Sequence, residues 1–155
     1  MSDPQTPSTL PFAGLEDLLC FDVYATSRLI TRAYQPLLEK VNLTYPQYLV
    51  MVLLWEGQEH TVKTLGQRLE LDSGTLSPLL KRLEQMGLIV RQRLKHDERE
   101  VGITLTDLGC QKQEEARDIP EQVACLMCLT PEQIQQLQEQ LRTLRSVLKQ
   151  ASQPE

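Results

Sequence analysis

The sequence predicts a mainly α-helical protein that carries one small β-hairpin. Three observations support this fold class. Apolar residues recur with a helical period of about 3.6 through most of the chain. Capping motifs of the Thr-x-x-Gln kind precede two of the predicted helices. Residues 101–105 instead alternate apolar and polar or small side chains with a period of two, as a strand does. The 155 residues are enough to build a single core.

The first predicted helix covers residues 15–38, where apolar side chains recur on one face, and residues 42–44 interrupt it. Thr44 and Gln47 then form a capping box. Pro46 occupies the first turn, where its missing N–H group costs nothing. The helix that follows is apolar on all sides, so we expect it in the middle of the fold.

Two short helices and a tight turn come next. Thr61 can cap a helix that extends to Leu71. Residues 72–74 form a turn and a cap, and a second helix covers residues 75–86. Gly87 suits the left-handed position that ends a helix. A pair of short helices joined in this way is a helix-turn-helix.

The pattern after the helix-turn-helix predicts a hairpin. Residues 88–94 and 101–105 are the predicted strands, and the tip at residues 95–100 is charged and holds no apolar side chain. A helix-turn-helix followed directly by such a hairpin, here about residues 88–106, is a winged helix-turn-helix. We therefore expect a DNA-binding unit over residues 44–106.

Two further helices complete the predicted fold. One follows the cap Thr106 and continues to about Cys128 with a kink at Pro120. The other begins at a second capping box, Thr130 to Gln133, and carries a heptad-like apolar stripe. The stripe consists of Ile134, Leu137, Leu141, Leu144 and Leu148. Together with the first helix this face is too apolar for a monomer, so we expect dimerisation through residues 14–43 and 107–150.

Composition limits the remaining possibilities. No apolar run approaches the roughly 20 residues that a membrane span needs, so no membrane partner is expected. The N-terminal segment lacks the basic region and apolar core of a signal peptide, and we expect a cytoplasmic protein. Residues 1–13 and 151–155 are expected to be disordered tails on one domain, residues 14–150.

Charge is distributed unevenly along the chain. The formal net charge is −5, yet residues 74–99 carry +3 and the rest −8. A local basic patch on an acidic protein can still bind phosphate. The residues expected to contact DNA are Ser73, Thr75, Ser77, Pro78, Lys81 and Arg82 on the second helix and Arg91, Arg93, Lys95 and Arg99 on the wing. Winged helices also serve as protein-interaction modules, and this alternative stays open.

A short motif in the wing indicates a family. Asp97-x-Arg99, followed after five residues by Leu105-Thr106, resembles the wing signature of MarR-type repressors, and the likeness extends over about residues 15–148. The resemblance implies a homodimer whose first and last helices interlock and whose two wings grip a pseudo-palindromic operator in double-stranded DNA. It also implies that Arg99 enters the minor groove and that Asp97 orients it.

Three tyrosines follow Cys20 at spacings of 4, 14 and 25 residues, namely Tyr24, Tyr34 and Tyr45. This pattern resembles the organic-hydroperoxide-sensing branch of the family. Cys20 and Tyr24 are neighbours on a helix face. Tyr34 lies about 20 Å further along a continuous helix and can reach Cys20 only across a dimer interface. Phenol donors favour the thiolate, which is the nucleophile toward peroxides.

The resemblance implies a second reactive cysteine. Oxidation of Cys20 by an organic hydroperoxide, the implied inducer, gives a sulfenic acid that condenses with a nearby thiol. Cys125 matches the family's resolving position best, and Cys128 is the second candidate. We expect a disulfide between Cys20 of one subunit and Cys125 of the other. It would tilt the two DNA-reading helices away from the spacing of the grooves. Cys110 is expected to be a buried structural thiol.

Other functions remain open at this point. Cys125-x-x-Cys128 with Cys110 or His96 would be a weak zinc motif. A thiol peroxidase would use Cys20 in the same chemistry, and a MarR-type repressor could instead be relieved by a non-covalent phenolic ligand. We expect no metal, no cofactor and no enzymatic activity.

Overall fold

A computed structural model describes residues 14–57, 60–94 and 97–152, with the backbone alone for residues 97–99. After a 3-10 turn at Leu15–Asp17, the elements are α1 (Leu19–Lys40), α2 (Tyr45–Trp55), β1 (His60–Thr61), α3 (Val62–Leu69), α4 (Ser73–Gln85), β2 (Ile89–Leu94), β3 (Asp97–Leu105), α5 (Asp107–Ala116), α6 (Ile119–Met127) and α7 (Pro131–Ala151). The predicted fold class, mainly α with a small β-hairpin, is confirmed. The expected tail at residues 1–13 lies outside the described residues.

The first helix begins later than predicted. Residues 15–38 do not form one helix, because Leu18 has an extended backbone that separates the 3-10 turn from α1. Cys20 is therefore in the first turn of α1. At the other end, Asn42 adopts a left-handed conformation with φ 55°. The N–H group of Leu43 then donates to the carbonyl oxygen of Leu38 at 3.0 Å, which closes the helix end.

Helix α2 forms the centre of the fold, as predicted. Its capping box is complete, since the Thr44 N–H donates to Gln47 Oε1 at 2.9 Å and the Gln47 N–H to Thr44 Oγ1 at 3.5 Å. Six of the eleven residues of α2 are buried, which fits a helix covered on several sides. Its fully buried Val50 and Met51 belong to one cluster with Leu65 of α3 and Leu80 of α4.

The helix-turn-helix is confirmed with shifted boundaries. Thr61 caps α3 as predicted, but the helix ends at Leu69 because Glu70 has a left-handed φ of 57°. Helix α4 begins at Ser73, two residues earlier than expected, since Asp72 supplies the cap. Gly87 has a φ of 72°, the left-handed value that its position after α4 predicted.

The wing is an antiparallel sheet with the order β1-β3-β2. Strands β2 and β3 form the predicted hairpin, in which Ile89 faces Leu105 and Arg93 faces Val101. Strand β1 is absent from the predicted elements. Its two residues pair with Ile103 and Gly102, and two residues are too few to show an alternating pattern.

The helix predicted from Thr106 to about Cys128 is two helices. A turn separates α5 from α6, and Pro120 lies in the first turn of α6 rather than at a kink. A proline is tolerated there because the N–H groups of a first turn lack helical partners. The Trp55 indole donates to the carbonyl oxygen of Gly109 at 2.9 Å and so fixes α5 against α2.

Helix α7 exposes its apolar stripe. Leu137, Leu141 and Leu148 are 45%, 44% and 56% exposed, although the sequence pattern places them on a packing face. The helix continues to Ala151, so residue 151 belongs to α7 rather than to the expected tail, and residues 153–155 lie outside the described residues. Among the described helices, none is long and apolar enough to cross a membrane.

Candidate nucleic-acid interface and thiol site

Helix α4 has one buried and one exposed face. Leu76, Leu80 and Leu83 are buried against the core. The six residues of this helix that the sequence predicted as DNA contacts are all exposed: Ser73, Thr75, Ser77, Pro78, Lys81 and Arg82. The face carries hydroxyl groups near the N-terminus and two cations further along. Such a helix can enter a major groove, read base edges with its first turns and hold phosphates with its basic pair.

The wing is joined to α4 by an ion pair. The Arg91 guanidinium contacts Glu84 Oε2 through Nε at 2.8 Å and through Nη2 at 2.7 Å. The same guanidinium holds the pKa of Glu84 below its ordinary value. Because Arg91 is engaged by Glu84, the structure gives it a role in holding the wing against α4. Its predicted contact with phosphate stays a prediction.

The other wing residues differ in how much the structure describes. Arg93 is exposed on β2. Lys95 and His96 lie outside the described residues, and Asp97 and Arg99 are described by their backbone in β3 alone. The roles predicted for Lys95, Asp97 and Arg99 therefore stay predictions.

Asp72 holds the first turn of α4 in place. One carboxylate oxygen accepts from the Thr75 N–H at 2.8 Å and the other from the Thr75 hydroxyl at 3.0 Å. These hydrogen bonds, the backbone one first, lower the pKa of Asp72 below its ordinary value of 3.8. The cap thus depends on an ionised carboxylate at the start of the helix predicted to read DNA.

The ionised cap predicts a pH dependence. A group whose pKa is lowered by folding stabilises the fold above its unfolded pKa, and the effect is lost as the pH falls through the folded pKa. Asp72→Asn keeps an acceptor oxygen but cannot titrate. Thermal unfolding followed by circular dichroism should show wild type losing its advantage over Asp72→Asn below about pH 4. Parallel curves for the two proteins down to pH 2 would contradict this role.

Two of the predicted tyrosines lie together. The Tyr34 and Tyr45 rings are 4.9 Å apart, at the junction of α1 and α2. Tyr48, which the sequence pattern did not single out, is 5.9 Å from Tyr34 and 6.2 Å from Trp55. Burial raises the pKa of Tyr34 and of Tyr45 above the ordinary value of 10.0. Both phenols therefore keep their protons at neutral pH and can donate hydrogen bonds.

Cys20 and Tyr24 lie at the opposite end of α1. The Tyr24 ring is 59% exposed, and its hydroxyl accepts from Arg28 Nη1 at 2.8 Å. Cys20 is exposed in the first turn of the helix. Since α1 is helical from Leu19 to Lys40, about 20 Å separates Cys20 from Tyr34 along its axis. Within one chain, the structure pairs Tyr34 with Tyr45 and leaves Cys20 apart from both.

The remaining cysteines are also exposed. All four are free thiols, and Cys110 is not the buried residue that the sequence led us to expect, because it lies on the outer side of α5. Cys125 is in the last turn of α6, and Cys128 follows as its C-cap. The described residues contain no group of three or more His, Cys, Asp or Glu side chains that could hold a metal ion.

These features define a class of protein. An exposed polar face on the second helix of a helix-turn-helix, with a hairpin wing fixed beside it, is the arrangement of a winged-helix DNA-binding regulator.

Comparisons with known proteins agree with this class. Residues 32–119 match the family described as transcriptional regulator SarA/Rot. The organic hydroperoxide resistance transcriptional regulator of Bacillus subtilis is 52% identical over 136 residues, which are 88% of this chain and 92% of that protein. A structure of reduced AbfR bound to DNA matches with a TM-score of 0.75 and 38% identity, over 90% of this chain and 95% of that one. AbfR with a disulfide formed matches with a TM-score of 0.61 and 42% identity, over 84% and 91% of the two chains.

The chain belongs to the MarR-type family of DNA-binding transcriptional regulators. Within that family it belongs with the organic hydroperoxide resistance regulators. The resemblance that the wing motif and the tyrosine spacing indicated is confirmed. The relatives are transcriptional regulators by name, in line with the expectation of a regulator rather than an enzyme.

Proposed function

We propose that the protein is a homodimeric repressor that releases its operator DNA when an organic hydroperoxide oxidises Cys20. The name of the Bacillus subtilis relative supports this class of inducer. AbfR, a regulator of Staphylococcus epidermidis, has been described reduced on DNA, overoxidised on DNA and with a disulfide formed. Those states support a redox-responsive regulator, and they include an oxidised form on DNA as well as a disulfide form.

The observation that carries the proposal is the position of Tyr34 and Tyr45. Their adjacent phenols form a donor pair at one end of α1, and Cys20 lies about 20 Å away at the other end. A second copy of α1 running antiparallel would place the tyrosine pair of one subunit beside the cysteine of the other. The exposed apolar faces of α1 and α7, which include Leu19 and Leu141, supply a surface for such a dimer.

The proposed reaction requires Cys20 as a thiolate, the nucleophile toward peroxides. Cys20 is the second residue of α1, in its first turn. The phenols of the partner subunit would add hydrogen bonds to the thiolate. The thiolate attacks the O–O bond of the hydroperoxide, an alcohol leaves and a sulfenic acid forms. The thiol of Cys125 of the partner subunit then condenses with it, and water leaves.

Ion pairs connect the proposed dimerisation helix to the DNA-binding unit. Glu70, at the end of α3, accepts from Lys149 at 2.8 Å and contacts Arg145 at 3.3 Å, both on α7. The hydrogen bond from Lys149 and the two positive charges lower the pKa of Glu70. A disulfide that displaces α6 and α7 would therefore move α3 and α4, and the two reading helices would lose the spacing of adjacent major grooves.

A binding assay with oxidant tests the proposal. The operator can be isolated from a random duplex pool with the reduced protein. Cumene hydroperoxide should release DNA from wild type and from the matched control Cys110→Ser. Cys20→Ser should stay bound, and Cys125→Ser should form no intersubunit cross-link. Release of DNA from Cys20→Ser by an inducer would instead support a non-covalent ligand. Sustained peroxide consumption with thiol reductant and no specific DNA binding would support a thiol peroxidase.

The proposal also predicts where the protein acts and how much peroxide it consumes. The protein acts on DNA in the cytoplasm and needs neither metal nor cofactor. Each protomer consumes about as many molecules of peroxide as it has reactive thiols. The measured ratio of peroxide consumed to protomer, without added reductant, should be small and should not grow with time.

A further inference from the structure

Two thiols lie within one helical turn at the end of α6. Cys125 is in the last turn, and Cys128 is the C-cap, with a left-handed φ of 52°. The sulfur of Cys128 lies 3.6 Å from the carbonyl oxygen of Cys125 and donates toward it. Both side chains are exposed. The proposed sensing step uses Cys125 alone, so the thiol of Cys128 has no assigned role.

A disulfide between these two sulfurs requires a local movement of the backbone. Side chains three residues apart on a helix have Cβ atoms about 5–6 Å apart, and a disulfide needs about 3.5–4.5 Å. The required approach falls on Cys128, whose backbone N–H makes one hydrogen bond at 3.3 Å to the Cys125 carbonyl. Because a left-handed conformation is unfavourable for a residue with a Cβ atom, a rotation there does not disrupt a favourable conformation.

We propose that Cys128 opens the intersubunit disulfide of Cys20 and Cys125, an inference that rests on the proposed function. The thiolate of Cys128 attacks the sulfur of Cys125 in its own chain. The bond from Cys125 to Cys20 of the other subunit breaks, Cys20 leaves as a thiolate, and a Cys125–Cys128 disulfide closes. The hydroperoxide has already accepted the two electrons, so the exchange needs no further oxidant. The two cysteines are three residues apart on one chain, so the attack of Cys128 on Cys125 is intramolecular.

The exchange gives the sensor a second oxidised state. Its disulfide lies within one chain, the covalent tether between subunits is gone, and Cys20 is again a thiol that can meet a second peroxide. Cys110 is on a different helix, α5, and takes no part. Cys110→Ser is therefore the matched control for Cys128→Ser.

The identity of the remaining thiols after limited oxidation tests the exchange. Full-length reduced protein receives one equivalent of cumene hydroperoxide per protomer, followed by alkylation, non-reducing electrophoresis and peptide mass mapping over time. In wild type and Cys110→Ser, the cross-linked dimer should appear and then decay, with Cys20 recovered as a thiol and a Cys125–Cys128 disulfide formed. In Cys128→Ser, the cross-link should persist and Cys20 should stay blocked.

Failure of the exchange differs from failure of the sensing proposal. A cross-link that persists equally in wild type and Cys128→Ser overturns the exchange and leaves the sensing proposal standing. A Cys20–Cys128 cross-link in wild type also overturns it. If no variant with Cys20 reacts or cross-links, both proposals fail. In a second arm, Cys20→Ser equilibrated with oxidised glutathione should form the Cys125–Cys128 disulfide, and its absence there overturns the proposal independently of peroxide.

Discussion

Replacing Tyr34 and Tyr45 together with phenylalanine should slow the reaction of Cys20 with an alkyl hydroperoxide at least tenfold at neutral pH. The phenols are expected to donate to the thiolate of the other subunit, and a hydrogen bond to a charged group contributes about 1.5–3 kcal/mol. A loss of about 1.4 kcal/mol is tenfold in the thiolate population. Burial raises the pKa of both tyrosines, so both are protonated donors throughout the physiological range.

The rate is measured by quenching with an alkylating reagent and following the loss of the Cys20 thiol. Tyr48→Phe is the matched control, because Tyr48 belongs to the same aromatic cluster, 5.9 Å from Tyr34, but lies outside the tyrosine spacing. Its reaction rate should equal that of wild type. Equal slowing by Tyr48→Phe would mean that ring packing, rather than the hydroxyl groups, controls the thiol.

Helix caps are the part of this fold that sequence predicted best. Thr44, Thr106 and Thr130 each cap the helix that they were expected to cap, and Gly87 has the left-handed conformation expected of it. These features depend on side chains and backbone groups two to four residues apart, so the local sequence is sufficient to specify them. The hairpin was likewise predictable, because its alternation is local.

Features that depend on distant contacts were not predictable. Leu18 is no helix breaker by residue type, yet its extended backbone separates the 3-10 turn from α1. Strand β1 exists because β3 offers it hydrogen-bond partners some forty residues along the chain. Pro120 suits a helix start as well as a kink, and the turn at residues 117–118 makes it part of a helix start. Cys110 shows that residue type is a poor guide to burial at a single helix position.

In the candidate site, too, the residues were predictable from the sequence, but their contacts were not. Spacing identified Tyr34 and Tyr45, but their contact depends on how α1 packs against α2. The pair of Arg91 with Glu84 depends on the register between the end of α4 and the start of β2, which no local pattern specifies. The sequence therefore named the candidate groups, and tertiary structure decided which of them meet within one chain.

Gly109→Ala should cost about 3 kcal/mol of unfolding free energy, although alanine favours a helix. Gly109 lies in the first turn of α5, buried at the root of the wing. A Cβ atom there would meet the carbonyl group of Leu88 and would lie 3.1 Å from Leu105 Cδ2. Leu88 O is backbone and also accepts from the Thr106 N–H at 3.1 Å, so the clash cannot be relieved by a side-chain rotation.

The sign of the change in unfolding free energy shows whether helix propensity or the steric clash dominates at Gly109. Helix propensity alone would make the alanine variant more stable by about 1 kcal/mol, and the clash with Leu88 makes it less stable. Urea unfolding measures the difference, with Gly14→Ala as control, since a Cβ there meets one atom at 3.9 Å and nothing closer. The only tryptophan, Trp55, donates to the Gly109 carbonyl, so its emission should report the displacement of α5 in the folded variant. A stabilised variant with unchanged emission would show that the backbone around Leu88 moves to accept the Cβ atom without loss of unfolding free energy. In that case the wing would not be rigidly fixed to α2 and α5, and the proposed transmission of movement to the DNA-binding face would have to depend on the contacts of Glu70 and Glu84.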